Sequence, residues 1–121
     1  MVSLRLPYPV SNNTYYRHFR GITVISKRGR EYKEEVARIC REAGVSELYG
    51  RLEVSLEICP KQPKKDTGKE PRCLDLDNIF KTCLDSLQGF AYANDAQIWK
   101  LCARRGEPVP GGCLNVTVRA I

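Results

Sequence analysis

Residues 51–58, RLEVSLEI, constrain the fold more than any other segment of the chain. Leu52, Val54, Leu56 and Ile58 alternate there with polar or charged residues. Because successive side chains of a strand point to opposite faces, this pattern predicts a strand with one buried face and one polar face. The strand therefore belongs to a sheet whose apolar face must be covered by other elements.

Two segments have the spacing of helices that cover such a face. In the first, Ser26 is placed as an N-cap and Gly44 as a C-terminal stop, and apolar residues between 32 and 43 share one face. The second begins after Asp77 and ends near Gly89. Its apolar stripe consists of Ile79, Phe80, Cys83, Leu84 and Leu87.

Alternating apolar residues predict three more strands, near residues 2–6, 96–104 and 113–120. The 96–104 strand has apolar residues on both faces, whereas residues 11–25 read as a loop with a short strand near ITVI. The predicted order is β-α-β-α-β-β, a single α+β domain over 1–121 with a mixed sheet and two helices packed against it. The last two strands are expected to form an antiparallel hairpin.

The positive charge is concentrated in two segments. Residues 15–30 carry five bases and no acid, and residues 60–72 carry five bases and two acids, in a chain of net charge +6. Aromatic residues lie beside the first segment, and this combination suggests a polyanion partner such as nucleic acid, although charge alone slightly favours a solvated basic surface.

The six cysteines are expected to be reduced, without disulfide partners. The N-terminus has no signal-peptide pattern, two cysteines lie in helical apolar stripes, and no CxxC pair is present. No apolar run approaches the ~20 residues that span a membrane. A cytoplasmic location is therefore expected.

Asp75 and Asp77 stand two residues apart, just before the second helix. If residues 73–77 are extended, both carboxylates point to one side, and at about 4 Å they repel by about 4 kcal/mol at an effective dielectric of about 20. With Asp95 they would form an all-oxygen site suited to Mg²⁺ or Mn²⁺. Alternatively, Asp77 is a helix N-cap. Lys81 either pairs with Asp77 or points at a substrate phosphate.

Four segments in this order resemble the RusA family of Holliday-junction resolvases: LPYPVSNNTYYRH, GREYKEEVARI, LDLDNIFKTCLDSL and NDAQI. The resemblance covers almost the whole chain. It implies a small homodimeric, Mg²⁺-dependent endonuclease, encoded by a bacterium, phage or prophage. Such an enzyme binds four-way DNA junctions and nicks two opposed strands symmetrically, in recombination and repair.

The resemblance also implies roles for particular residues. Asp75, Asp77 and Asp95 match the metal-binding carboxylates, Lys81 matches the catalytic lysine of the DLDNxxK pattern, and Asn78 supports that geometry. The implied DNA contacts are Ser11, Asn12, Asn13, Tyr15, Tyr16, Arg17 and Arg72.

Two departures from the family pattern concern DNA contact, and one is that the loop from Lys61 to Arg72 is a little longer than is usual. The family commonly has arginine directly before DLD, but this chain has Leu74 there and Arg72 two residues earlier.

Two other functions stay open: a protein that binds branched DNA without cutting it, and a nucleotide phosphohydrolase. The second is disfavoured because no Gly-rich phosphate loop is present.

Overall fold

A computed structural model describes all residues from 1 to 121. The strands and helices follow the predicted order and include the short strand predicted near ITVI, and one helix and one further short strand are added near the N-terminus. In chain order the elements are β1 (Val2–Leu6), α1 (Asn12–Tyr15), β2 (Tyr16–Phe19), β3 (Ile22–Ile25), α2 (Lys27–Glu42), β4 (Leu52–Cys59), α3 (Phe80–Leu87), β5 (Ile98–Arg105) and β6 (Cys113–Ala120). Single turns of 3₁₀-helix, Leu76–Asn78 and Asp95–Gln97, precede α3 and β5.

The main sheet has four strands in the order β1-β6-β4-β5. β6 is antiparallel to both β1 and β4, while β4 and β5 are parallel. The sheet is therefore mixed, as predicted. The predicted β5–β6 hairpin is wrong, because the crossover through α3 returns β5 parallel to β4 on its free edge. The 106–112 loop then passes the end of β4, where the Gly106 N–H donates to the Ile58 carbonyl at 2.8 Å.

The core lies between one face of this sheet and helices α2 and α3. Residues of β4 alternate between buried and half-buried, as the RLEVSLEI pattern predicts. Tyr32, Val36 and Cys40 of α2 and Ile79, Cys83 and Leu87 of α3 cover the buried face. β5 has apolar residues on both faces, as predicted, but none is fully buried: Ile98, Leu101 and Ala103 are half-buried, whereas Trp99 and Cys102 are exposed. β5 is an edge strand.

Helix α2 begins and ends where the sequence predicts. The Ser26 hydroxyl accepts a hydrogen bond from the Gly29 N–H at 3.0 Å, and Gly44 has a φ of +67° after the helix. Gly29 also allows a close approach, since a Cβ at this position would lie 2.4 Å from the Tyr15 carbonyl oxygen. The α1 segment is thereby packed directly against the first turn of α2.

None of the helices combines the length and apolar character that crossing a membrane requires. All six cysteines are free thiols. Burial raises the pKa of the Cys83 thiol to about 12, which keeps it a neutral side chain of the core.

Candidate active-site groove

Helix α3 is amphipathic, and its polar face forms the floor of an open groove. Ile79, Cys83 and Leu87 are fully buried on one side, whereas Lys81 is exposed on the other. Residues three and four apart share a helix face, so Lys81 and Asp85 lie on the same side of α3. The hydrophobic spacing of α3 therefore determines which of its charged side chains face solvent.

Asn12 ties α1 to the start of α3. Its side-chain oxygen accepts hydrogen bonds from the Thr82 N–H and the Thr82 hydroxyl, both at 3.2 Å. Its amide nitrogen donates to the Asp77 carbonyl oxygen at 3.4 Å. Ser11 caps α1, where its hydroxyl accepts from the Thr14 N–H at 3.1 Å. These two side chains fix the position of Asn13, which is exposed at the groove.

The groove encloses a volume of about 660 Å³ between α3 and the β2–β3 hairpin. Lys81 is within ion-pair distance of no carboxylate, so neither the predicted pair with Asp77 nor a pair with Asp85 is present. The ammonium group is thus available to a ligand in the groove. The lining residues are Asn12, Asn13, Tyr16, His18, Thr23, Asn78, Phe80, Lys81, Leu84, Asp85 and Asp95.

Asp85 is engaged by its own protein neighbours. The buried Tyr15 hydroxyl donates a hydrogen bond to it, and the Lys33 Nζ lies 3.5 Å from its Oδ2. Burial, followed by the hydrogen bond to Asp85, raises the pKa of Tyr15. Partial burial also raises the pKa of Tyr16, with smaller contributions from the charges of Asp85 and Asp95. Both phenols are therefore neutral hydrogen-bond donors near neutral pH.

The two acids that precede α3 are not arranged as a strand would arrange them. Asp75 is extended, but Leu76–Asn78 forms a 3₁₀ turn, so the two carboxylates do not share a side by strand alternation. The residue at the N-cap position of α3 is Ile79, and the predicted capping by Asp77 is wrong. The Asp75 side chain is 81% exposed, and its Oδ1 lies 3.6 Å from Nη2 of Arg105.

The three predicted carboxylates are distributed along α3. Asp75 and Asp77 precede the helix, whereas the Asp95 N–H donates a hydrogen bond to the side-chain oxygen of Gln88, the residue just past the helix end, at 3.3 Å. An eight-residue helix is about 12 Å long. No group of three His, Cys, Asp or Glu side chains within the chain has an arrangement that could hold a metal ion. The carboxylates suit a hard cation chemically, but one chain does not gather the three of them.

Comparison with known proteins gives the family. The family model for endodeoxyribonuclease RusA matches residues 7–119. The chain belongs to the RusA family. A crossover junction endodeoxyribonuclease RusA of Escherichia coli K12 is 36% identical over 118 residues, which cover 96% of this chain and 92% of that protein.

Phage proteins of the RusA family are similarly close. The crossover junction endodeoxyribonuclease of Enterobacteria phage HK97 is 35% identical over 115 residues, covering 93% of this chain and 89% of the phage protein. That of Enterobacteria phage 82 is 35% identical over 117 residues, covering 95% and 91%. The family match over residues 7–119 thus includes the elements from α1 to β6 and the residues that line the groove.

The structure separates the residues that the RusA resemblance groups as DNA contacts. Tyr15 is fully buried, its hydroxyl donates a hydrogen bond to Asp85, and it does not line the groove. Tyr16 is half-buried and Arg17 exposed, both on β2. Arg72 is exposed in the 60–72 loop, away from the groove lining.

Sequence reasoning predicts the β3 strand near ITVI but not β2 or the hairpin that forms a wall of the groove. His18 and Thr23 line it, and the His18 Nδ1 lies 2.9 Å from the Thr23 Oγ1 across the two strands. A signal was present in the sequence, because Arg20-Gly21 separates two short runs rich in aromatic and β-branched residues. Such a pair with a glycine in second position is a hairpin signal.

Proposed function

We propose that this chain is a divalent-cation-dependent endonuclease that cuts four-way DNA junctions by paired, symmetric nicks. The observation that carries the proposal is an unpaired Lys81 on the floor of a groove whose wall is a basic hairpin. A groove lined by the unpaired ammonium group of Lys81, the amide of Asn13 and the phenol of Tyr16 fits a DNA strand. Membership of the RusA family and the names of the relatives support the same substrate.

Within the groove, we assign Lys81 to the phosphate that is cut. Its ammonium would hold the phosphoryl oxygens and stabilise the charge that grows on them during attack. Asn13, Tyr16 and Arg17 would contact the same strand, and Asn78 would position the start of α3. Ser11 and Asn12 act through the fold, because the hydrogen-bonding atoms of their side chains already have protein partners. Arg72 would contact a more distant part of the junction.

We propose Asp75, Asp77 and Asp95 as ligands of divalent cations, with Mg²⁺ as the expected ion and Mn²⁺ as a substitute, although a single chain does not bring the three together as one metal site. When bound, the cation would activate water and neutralise charge on the phosphate. Support comes from the donor chemistry, since exposed carboxylates are what hard cations prefer. A homodimer would present two such sites to two strands, and the basic exposed segments suit DNA recombination and repair in the bacterial cytoplasm.

The test is a single-turnover cleavage assay on a synthetic four-way junction, with linear duplex of the same sequence as control substrate. Mg²⁺ should give symmetric nicks in the junction alone, and EDTA should abolish them. Asp75→Asn should bind the junction but cut at least 100-fold more slowly. Asp66→Asn is the matched control, because Asp66 is an exposed aspartate in the 60–72 loop that bonds only the Gly68 N–H.

The assay also distinguishes the second candidate, a protein that binds branched DNA without cutting it. In that case the unsubstituted protein would bind the junction and leave it uncut whichever divalent ion is present in the assay. Titration calorimetry with Mg²⁺ and Mn²⁺ on Asp75→Asn, Asp77→Asn and Asp95→Asn then tests the ligands separately. Unchanged cation binding in all three variants would refute the ligand assignment.

A further inference from the structure

The β2–β3 hairpin stands apart from the main sheet and pairs only with itself. Its turn residues, Arg20 and Gly21, have φ values of +48° and +75°. Two successive residues with positive φ are typical of the tight turns whose twist matches a hairpin. The register pairs Tyr16 with Ile25, Arg17 with Val24, His18 with Thr23 and Phe19 with Ile22.

This register gives the hairpin two different faces, because paired residues share a face and alternate residues change face. Tyr16, His18 and Thr23 belong to the face that lines the groove beside Lys81. The opposite face carries the other two pairs. Its apolar side chains are unusually exposed: Phe19 by 57%, Ile22 by 61% and Val24 by 47%.

The charges around the outer face indicate what covers it. Arg17 belongs to this face, the Arg20 guanidinium carbon lies 5.2 Å from the centre of the Phe19 ring, and residues 15–30 contain no acid. A second copy of the same face would bring like charges together, which opposes pairing. Nucleobases surrounded by phosphates match an apolar patch on a hairpin that carries cations and no acid.

We propose that the hairpin is a wedge between two arms of branched DNA. Its groove face borders the strand that is cut, and Phe19, Ile22 and Val24 contact unstacked bases at the branch point. Apolar side chains inserted between base steps unstack them and change the direction of the helix. The proposal rests on the proposed function, since it takes a junction as the substrate. It goes further by naming the residues that open the branch point.

The test uses a four-way junction with 2-aminopurine next to the branch point, in Ca²⁺ so that the DNA is expected to stay intact. Unstacking raises the fluorescence of this base. The unsubstituted protein should raise it severalfold at saturation, Phe19→Ala should lose at least half of the rise, and Phe19→Leu should keep most of it. Tyr49→Ala is the matched control, because Tyr49 is 84% exposed outside the hairpin.

Two results would overturn the wedge. One is a full fluorescence rise with Phe19→Ala, and the other is a smaller sedimentation mass for Phe19→Ala, which would make this face an interface between copies. The salt dependence of junction affinity should be the same in Phe19→Ala and the unsubstituted protein, since no cation is removed. If the unsubstituted protein neither binds nor cuts the junction, the proposed function itself fails. If it binds and cuts the junction, and Phe19→Ala gives the same fluorescence rise, only the wedge proposal fails.

Discussion

Asn12 and Asn13 are adjacent and chemically identical, yet the structure gives them different surroundings. Asn12 bonds Thr82 and Asp77 across the α1–α3 contact, whereas Asn13 is exposed at the groove. Sequence alone predicts a polar turn and DNA contact for both. The difference depends on α3 lying against α1, a contact between residues about 70 positions apart in the chain. No local pattern contains it.

Asn12→Ala should lower the free energy of unfolding by about 1–3 kcal/mol, because it leaves the N–H of the buried Thr82 without a partner. Urea denaturation measures this loss. Asn13→Ala is the matched control and should change stability by less than about 0.5 kcal/mol while weakening junction binding. Equal destabilisation by both substitutions would contradict the assigned roles.

Lys81→Met should lower the single-turnover rate of junction cleavage by about 10²–10³-fold, since it removes the positive charge placed at the phosphate. Junction affinity should fall only slightly. Lys100→Met is the control: Lys100 is exposed on β5, with its Nζ 3.6 Å from Glu53, and should cut at the unsubstituted rate. A Lys81→Met protein that cuts normally would remove Lys81 from the mechanism.

At the scale of elements, the strongest periodicities predict the structure best. The alternation in β4, the Ser26 cap and the Gly44 stop of α2 all appear as expected. The predicted β5–β6 pairing is wrong because adjacency in sequence says nothing about which strand edge a crossover reaches. The strand near ITVI is confirmed, but β2 and its pairing with β3 are not predicted, because these short strands leave most of their side chains exposed.

The outer face of the sheet carries an ion pair that makes stability depend on pH. Both nitrogens Nε and Nη2 of Arg119 bond Glu53, at 3.2 and 3.1 Å. This hydrogen bonding is the largest cause that lowers the pKa of Glu53 below its ordinary value of 4.5. A lowered folded-state pKa contributes stability that is present above the unfolded pKa and lost as the pH falls through the folded one.

Arg119→Met should therefore raise the pKa of Glu53 and reduce the stability lost between about pH 6 and about pH 3. Carboxyl NMR titration gives the pKa, and urea unfolding across this range gives the stability. Arg51→Met is the control, because the Arg51 guanidinium stacks on Trp99 at 4.0 Å and pairs with no carboxylate. An unchanged Glu53 titration in Arg119→Met would contradict the assignment.

At the scale of the whole molecule, the basic and acidic residues have complementary roles in the proposed reaction, since the bases bind the DNA phosphates and the acids bind the cation. The sequence predicts both from composition and motif, and the structure places Lys81 and Asp95 at a common groove. Asp75 and Asp77 precede α3 and do not line this groove, although their neighbour Asn78 does, and a motif of adjacent letters cannot reveal that difference. Spacing along a chain fixes neighbours within one element, but it does not fix distances between the ends of different elements.

The central claim is paired cutting of a four-way junction, and a supercoiled plasmid with an extruded cruciform tests it most directly. Two symmetric nicks within one binding event convert the circle to a linear molecule, whereas independent nicks release the supercoiling and leave nicked circles. We predict linear plasmid as the main product in Mg²⁺ and none with Asp75→Asn. Nicked circles alone, or an intact plasmid, would contradict the account.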